Sequence, residues 1–300
     1  MRLGMLSRAD NESLDFVKRL GFRCFEWVRI EESPCGSKND DWRRAADGLR
    51  EETKRRDLRI SAIAVWYRNA LDPKQTDEAR RILHHSIEVA AHLGIRTIAA
   101  FPGAVIETTM NERGGGPVYT PPEKFLAQTV EFWKPLAQRA RDCGVRIAFE
   151  HCPQGPWHLP IAHWNVFGQP AVWNQFFEMA GYDNLGIEWD AAHLICQMID
   201  PLENLREFGK RIFHVHAKDA RIDEPLMRQF GICHPGVAEH RFPGLGQTNW
   251  GHVISELIRA GYDSDINIEG WHDPIYRDRL EETGLRIAKQ TLEPLIAGTE

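Results

Sequence analysis

The sequence predicts a single (β/α)₈ barrel spanning residues 1–300, and three observations predict it. Short apolar runs alternate with longer amphipathic ones along the chain, the signature of strand–helix units. Eight such units can be read, with no shift in composition to mark an internal boundary. The 300 residues suffice for a closed ring of eight units, which takes ~250.

The apolar runs, in order, are RLGMLS, CFEWVRI, RISAIAVW, TIAAFPG, RIAFEHC, LGIEWDAAH, IFHVHAKD and INIEGWH. Each is followed by a helical pattern, clearest in DDWRRAADGLREETKRRD, DEARRILHHSIEVAAHLG and PEKFLAQTVEFWKPLAQRARDCG. Gly21, Gly94, Gly144 and Gly181 stand where helices stop, because glycine accepts the left-handed conformation that ends a helix. Pro122 and Pro201 stand near helix starts, where a missing N–H costs nothing. The competing architecture, an open doubly wound sheet, needs a glycine-rich phosphate turn after its first strand. Here that strand runs into SRADNES, which has no such turn. Three connections exceed the usual length, at roughly 104–120, 153–168 and 220–248. Each follows the C-terminal end of a strand, the face where barrels carry their chemistry. In the second of them, His158, His163 and Trp164 are expected to close over a bound ligand.

Composition narrows the function classes. Hydrophobic residues make up 42 % and charged residues 27 %, ordinary for a globular protein. The formal net charge of −6 gives no reason to expect nucleic acid or an anionic membrane as partner. No apolar run is long enough to span a bilayer, and MRLGMLSRAD lacks the apolar core of a signal peptide. The six cysteines form no CxxC pair, so reduced thiols and a cytoplasmic location are expected.

The chemistry sits at strand ends. In FHVHAKDA, residues 213–220, Phe213, Val215 and Ala217 alternate with His214, His216 and Lys218. Alternate residues of a strand share a face, so two imidazoles and an ammonium point one way. Neighbouring runs end on comparable groups: Glu150 in FEHC, Asp190 and His193 in EWDAAH, Glu269 in IEGWH. Strands five to eight of a barrel are neighbours, so their C-terminal ends converge. Two glutamates, an aspartate and a histidine cannot be buried there charged and uncompensated. A divalent cation resolves the conflict. Three carboxylates and one imidazole are hard, oxygen-rich donors that favour manganese or magnesium over structural zinc. Singly, each residue has an ordinary role. Glu150 and Glu269 could pair with basic side chains, Asp190 could cap a helix, and His214 could be a hydrogen-bonded core histidine. Their joint occurrence at matching strand ends points to a metal. Trp66 and Trp271 are expected to wall the pocket, and Lys218 either binds substrate or pairs with Asp219 or a strand-end acid.

These motifs resemble those of the sugar phosphate isomerase/epimerase superfamily, the xylose isomerase-like barrels, over essentially the whole chain. That group includes ketose 3-epimerases, hydroxypyruvate isomerase, inosose dehydratase and, more distantly, enzymes of the endonuclease IV type. The resemblance rests on FEH at Glu150, DxxH at Asp190–His193, HVHAKD at 214–219, RFPGLGQTNW at 241–250 and IEGWHDP at 268–274. It implies one divalent ion held by Glu150, Asp190, His216 and Glu269, with manganese expected and magnesium or cobalt as alternatives. His216 is chosen over His214 because the second histidine of HxH is the ligand in the resembled group. The resemblance also implies that His193 and Arg241 bind substrate. Two departures stand out. HCPQGPWHLP carries no carboxylate shortly after Glu150, and EGWHDP has Trp271 and His272 where many relatives place a second acid.

The expected activity is metal-dependent isomerisation or epimerisation of a sugar or polyol derivative, by proton transfer next to a carbonyl through an enediolate. Glu150 and Glu269 would be the acid/base pair. The first alternative is a metal-dependent lyase on the same scaffold, a dehydratase or an enzyme cleaving a 3-keto-glycoside or C-glycoside. A lesser one is a non-catalytic sugar-binding protein or subunit. An endonuclease fits poorly, because strands one to four end in SRAD, VRIEE, VWYRN and FPG with no histidine. The expected partner is a small molecule, and the apolar helix faces are compatible with a homo-oligomer or a hetero-oligomer.

Overall fold

A computed structural model describes residues 1–66, 68–105, 109–110, 117–118, 122–153, 164–232 and 234–299. All eight apolar runs become strands: β1 (Leu3–Ser7), β2 (Cys24–Trp27), β3 (Arg59–Val65), β4 (Thr97–Ala100), β5 (Arg146–Glu150), β6 (Leu185–Asp190), β7 (Ile212–Ala217) and β8 (Ile266–Ile268). They hydrogen-bond in the order β1-β8-β7-β6-β5-β4-β3-β2 and close into a barrel. The pairs β1–β2, β1–β8, β7–β8, β3–β4 and β4–β5 are parallel, and His216 lies opposite Asn267 in the β7–β8 register. The helices are α1 (Asn11–Arg19), α2 (Trp42–Arg55), α3 (Thr76–Leu93), α4 (Leu126–Asp142), α5 (Trp173–Ala180), α6 (Ala191–Ile195), α7 (Pro201–Phe208), α8 (Glu224–Phe230), α9 (Trp250–Ala260) and α10 (Glu281–Ile296). Among the described residues, no helix is long and apolar enough to cross a membrane.

Local chemistry sets the helix boundaries. Asp10 opens α1 by accepting from the Ser13 N–H at 2.9 Å. Asp200 caps α7, whose first residue is Pro201. Gly21, Gly94, Gly144 and Gly181 all take φ between 70° and 76°, as the helix-stop reading requires. The long connections are more structured than their sequences suggested. After β7, Asp219–Ile222 pairs antiparallel with Ala238–Arg241, and α8 lies between the two strands. Within the earlier connections, Ala104–Val105 pairs with Trp164–Asn165 and Thr109–Met110 with Pro117–Val118. His158 and His163 lie outside the described residues, as does the side chain of Trp164.

The chain divides into two compact units, Met1–Val28 with Glu51–Ser61 and Glu188–Glu300, and Arg29–Arg50 with Ala62–Ile187. In the second unit an aromatic core backs the end of β5. Phe149 meets Trp133 at 4.7 Å, Phe167 at 5.0 Å and Phe176 at 5.5 Å between ring centroids. Trp133 donates its indole N–H to Pro102 O at 2.7 Å, so its one polar atom is satisfied. Each fully buried aromatic of this kind contributes ~1.5–3 kcal/mol. Asn165 donates to Glu150 O and Cys152 O, both at 2.8 Å, and fixes the backbone where β5 ends.

In the first unit every residue of β7 is buried. The ionisable face seen in FHVHAKDA is therefore a core face. The motif's Asp219 is structural. It accepts from Ala220 N, Thr248 N, Thr248 Oγ1 and Trp250 Nε1 at 2.6–3.2 Å, pinning the GLGQTNW loop. Gly246 is required there, because a methyl group in its place would overlap Asp219 Oδ1. Asp273 of the HDP motif ties the segment after β8 to the same region by accepting from Arg241 Nε at 3.0 Å and Phe242 N at 3.1 Å.

Candidate metal centre

Asp190 ends β6 and caps α6 at once. Its Oδ1 accepts the Ala192 N–H at 2.7 Å, and its Oδ2 lies 3.2 Å from His193 Nε2. The capping role that the sequence offered as an ordinary explanation thus uses one oxygen only. Glu269 follows β8 directly, its N–H donating to Ala217 O at 3.3 Å. Its Oε1 accepts from Lys218 Nζ at 2.9 Å, and its Oε2 lies 3.1 Å from His216 Nδ1. Asp190, His216 and Glu269 each offer a ligand atom, and these atoms lie within 4.8 Å of one another. Asp190 and His216 are 0 % exposed, Glu269 4 % and Lys218 1 %, so the cluster is desolvated and must be balanced internally.

Lys218 supplies part of that balance. It pairs with Glu269 and lies 4.0 Å from Asp190 Oδ2, while neighbouring Asp219 is engaged with the 246–250 loop. Of the partners the sequence offered for Lys218, the structure selects the strand-end acid. Burial opposes ionisation of Glu269, yet Lys218 holds it well below the usual carboxylate range. Burial pushes Asp190 up to about 7 against the pull of Lys218. The donor set fits a divalent cation, with two carboxylates and one imidazole on adjacent strand ends and hard oxygen predominating.

A second cluster lies behind the first and was not read from the sequence. Glu26, Glu188, His214 and His216 are all fully buried, with ligand-type atoms within 4.8 Å of one another. His216 Nε2 is 2.7 Å from Glu26 Oε2 and 3.3 Å from Glu188 Oε1. His214 Nδ1 is 2.8 Å from Glu188 Oε1, and its Nε2 is 3.0 Å from Asn267 Oδ1. His214 is therefore a hydrogen-bonded core histidine that reaches neither Asp190 nor Glu269 among the described contacts. Burial alone would lower both histidines, but Glu26 and Glu188 outweigh it and raise them. The two carboxyls part. Burial raises Glu26, while His216 and His214 hold Glu188 below the usual range despite burial.

The remaining expected residues take distinct places. Glu150 is buried at the end of β5. His193 is buried and packs edge-to-face with His240 at 5.3 Å, which in turn meets His272 at 5.5 Å. His240 was missed, although its HR pair precedes the PGLG turn. Burial, with Lys218 and His272 nearby, lowers it to about 3, so it is a neutral imidazole. Arg241, a residue expected to hold substrate, donates its Nε–H to Asp273 Oδ2 at 3.0 Å. Trp66 follows β3 and packs near Phe101 at 5.9 Å. Trp271, expected to wall a pocket, is 46 % exposed.

Eight parallel strands closed into a ring, with ionisable groups gathered at the strand ends, define a (β/α)₈ barrel of the kind that carries a site at its C-terminal face. The chain belongs to the xylose isomerase-like TIM barrel family, whose model matches residues 14–294. It is 24 % identical to the protein YfiH of Bacillus subtilis, covering 94 % of each chain. It is 28 % identical to an inosose dehydratase of Lacticaseibacillus casei over 151 residues, 49 % of this chain and 47 % of that one. Among solved structures, the IolI protein with a bound zinc atom aligns with a TM-score of 0.71 at 20 % identity, covering 99 % of this chain and 98 % of that one.

Proposed function

We propose that the protein is a divalent-metal-dependent enzyme that moves a proton next to the carbonyl of a sugar or polyol derivative, giving isomerisation or epimerisation through an enediolate. The observation that carries this reading is the buried set Asp190, His216 and Glu269, with the Lys218 ammonium against it. Glu150 ends the strand that follows β6 in the ring order, and it is the proposed fourth ligand. Manganese is the proposed ion, with magnesium or cobalt able to serve. The zinc in the IolI structure supports a divalent ion in a barrel of this fold. Bound here, such an ion would act as a Lewis acid toward a carbonyl oxygen and the adjacent hydroxyl.

The chain's own residues do the rest. Glu150 and Glu269 are the proposed acid/base pair, one taking the proton from the carbon beside the carbonyl and the other returning one. Lys218 keeps Glu269 ionised and so able to accept a proton. His193, beside Asp190, would donate to a substrate oxygen as charge develops on it. Arg241 keeps further N–H groups beyond the Nε held by Asp273, and these are its proposed link to substrate. Trp66 and Trp271 are the proposed apolar walls.

A second reading is favoured by one finding, the match to inosose dehydratase. In a dehydratase the same proton abstraction is followed by loss of water from the next carbon. Incubating the protein with Mn²⁺ in D₂O and a panel of ketoses, inososes and 3-keto-glycosides separates the two. Product with an unchanged skeleton and a new C–D bond, seen by mass and NMR, supports the isomerase or epimerase. Loss of water or of an aglycone supports the lyase. No exchange and no product across the panel, with metal bound, would contradict both and favour a sugar-binding protein.

A further inference from the structure

The second cluster assigns a role to Glu26. The His216 ring stands between two sets of acceptors. On one side its Nδ1 faces Glu269 Oε2 at 3.1 Å. On the other its Nε2 faces Glu26 Oε2 at 2.7 Å and Glu188 Oε1 at 3.3 Å. Two carboxyl groups converge on Nε2 in a site where all three residues are fully buried, so an unprotonated Nε2 would leave lone pairs facing one another with no water to separate them. A proton on Nε2 removes that clash and leaves the Nδ1 lone pair for a cation. A histidine that binds a metal through one nitrogen commonly gives its other N–H to a carboxylate, which fixes the ring and raises its basicity.

The two carboxylates are not equivalent. Glu188 Oε1 is nearer to His214 Nδ1, at 2.8 Å, than to His216. His214 is itself held through Nε2 by Asn267 Oδ1, and Asn267 Nδ2 donates to Met5 O at 3.3 Å. Ser61 Oγ, 2.8 Å from Asn267 Oδ1, completes this inner network. Glu188 is thus engaged by His214, and Glu26 is left as the close partner of His216.

We propose that Glu26 is a positioning residue. It holds the His216 proton on Nε2 and thereby presents Nδ1 to the metal that Asp190 and Glu269 would share. This inference rests on the proposed metal site. Glu26 itself touches neither metal nor substrate.

The test uses zinc alone, because zinc is diamagnetic. Long-range ¹H–¹⁵N NMR of the full chain, labelled at histidine and with His216→Ala to assign the signal, reads the ring directly. In the zinc-loaded wild-type protein His216 should keep its proton on Nε2 and carry zinc on Nδ1. Zinc affinity, measured by competition with a chromophoric chelator, should fall ~10–100-fold in Glu26→Gln, and less in Glu188→Gln. Zinc on Nε2, or an affinity in Glu26→Gln equal to wild type, would overturn the proposal. The wild-type spectrum keeps it falsifiable if a variant fails to fold. Asp190→Asn and His216→Ala separate the two levels. If both bind zinc as wild type does, the metal site itself is wrong. If both lose zinc and Glu26→Gln does not, only the role of Glu26 fails.

Discussion

Two clusters meet at His216 and are built from the same residue types, yet the chain completes them differently. In the inner one, both nitrogens of His214 face groups of the protein, Glu188 on one side and Asn267 on the other. In the outer one, Asp190 spans the α6 N-terminus through Oδ1 and His193 through Oδ2, while Glu269 turns Oε1 to Lys218 and Oε2 to His216 Nδ1. The comparison teaches that carboxylates and imidazoles brought together do not by themselves indicate chemistry. Position along the strand and the remaining partners decide. The inner cluster lies within β2, β6 and β7, and the outer cluster, at the strand ends, is the proposed site.

Removing Glu188 should break the inner cluster first, with the largest effect on stability. Glu188→Leu leaves His214 buried without its carboxylate, and the expected loss is about 3–5 kcal/mol in urea denaturation. A near-neutral variant would make the inner cluster dispensable to folding. Glu150→Gln and Glu269→Gln address the outer cluster. Each should leave a folded protein whose turnover falls at least ~10²-fold, the low end for a lost general base. Normal turnover in either would remove that residue from the catalytic role. Gly246→Ala sharpens the comparison from outside. It should cost about 1–3 kcal/mol by crowding Asp219, and a substitution without cost would mean that the 246–250 loop moves freely. The smallest effect is expected at the surface. Arg19→Ala removes an exposed pair with Glu282 at 2.9 Å and should leave the urea midpoint close to that of the wild type.

The same contrast explains what could be read from sequence. The barrel was legible because its strands are short apolar runs and its helices stop at glycines with positive φ. The convergence of Asp190, His216 and Glu269 was legible because neighbouring strands of a barrel bring their ends together. Glu26 and Glu188 were overlooked because each is flanked by apolar neighbours, Phe25 and Trp27 or Ile187 and Trp189. A signal was present in the strand period. Glu188 shares a face with Asp190, as His214 does with His216. Asp219 and Asp273 stand inside the HVHAKD and IEGWHDP motifs, and their acceptor roles in pinning loops depend on residues 29–32 positions away, a separation that local pattern does not report. The antiparallel pair after β7 was hidden because AEHR carries no apolar alternation and DARI alternates over only four residues.

The central claim is that the outer cluster, and not the inner one, takes a cation. Metal content after purification without chelator, followed by Mn²⁺ add-back, tests it most directly across wild type, His216→Ala and His214→Ala. One divalent ion per chain is expected in the wild type, lost in His216→Ala and largely kept in a folded His214→Ala. Metal content near zero that added Mn²⁺ does not raise, or equal loss in the two histidine variants, would contradict it.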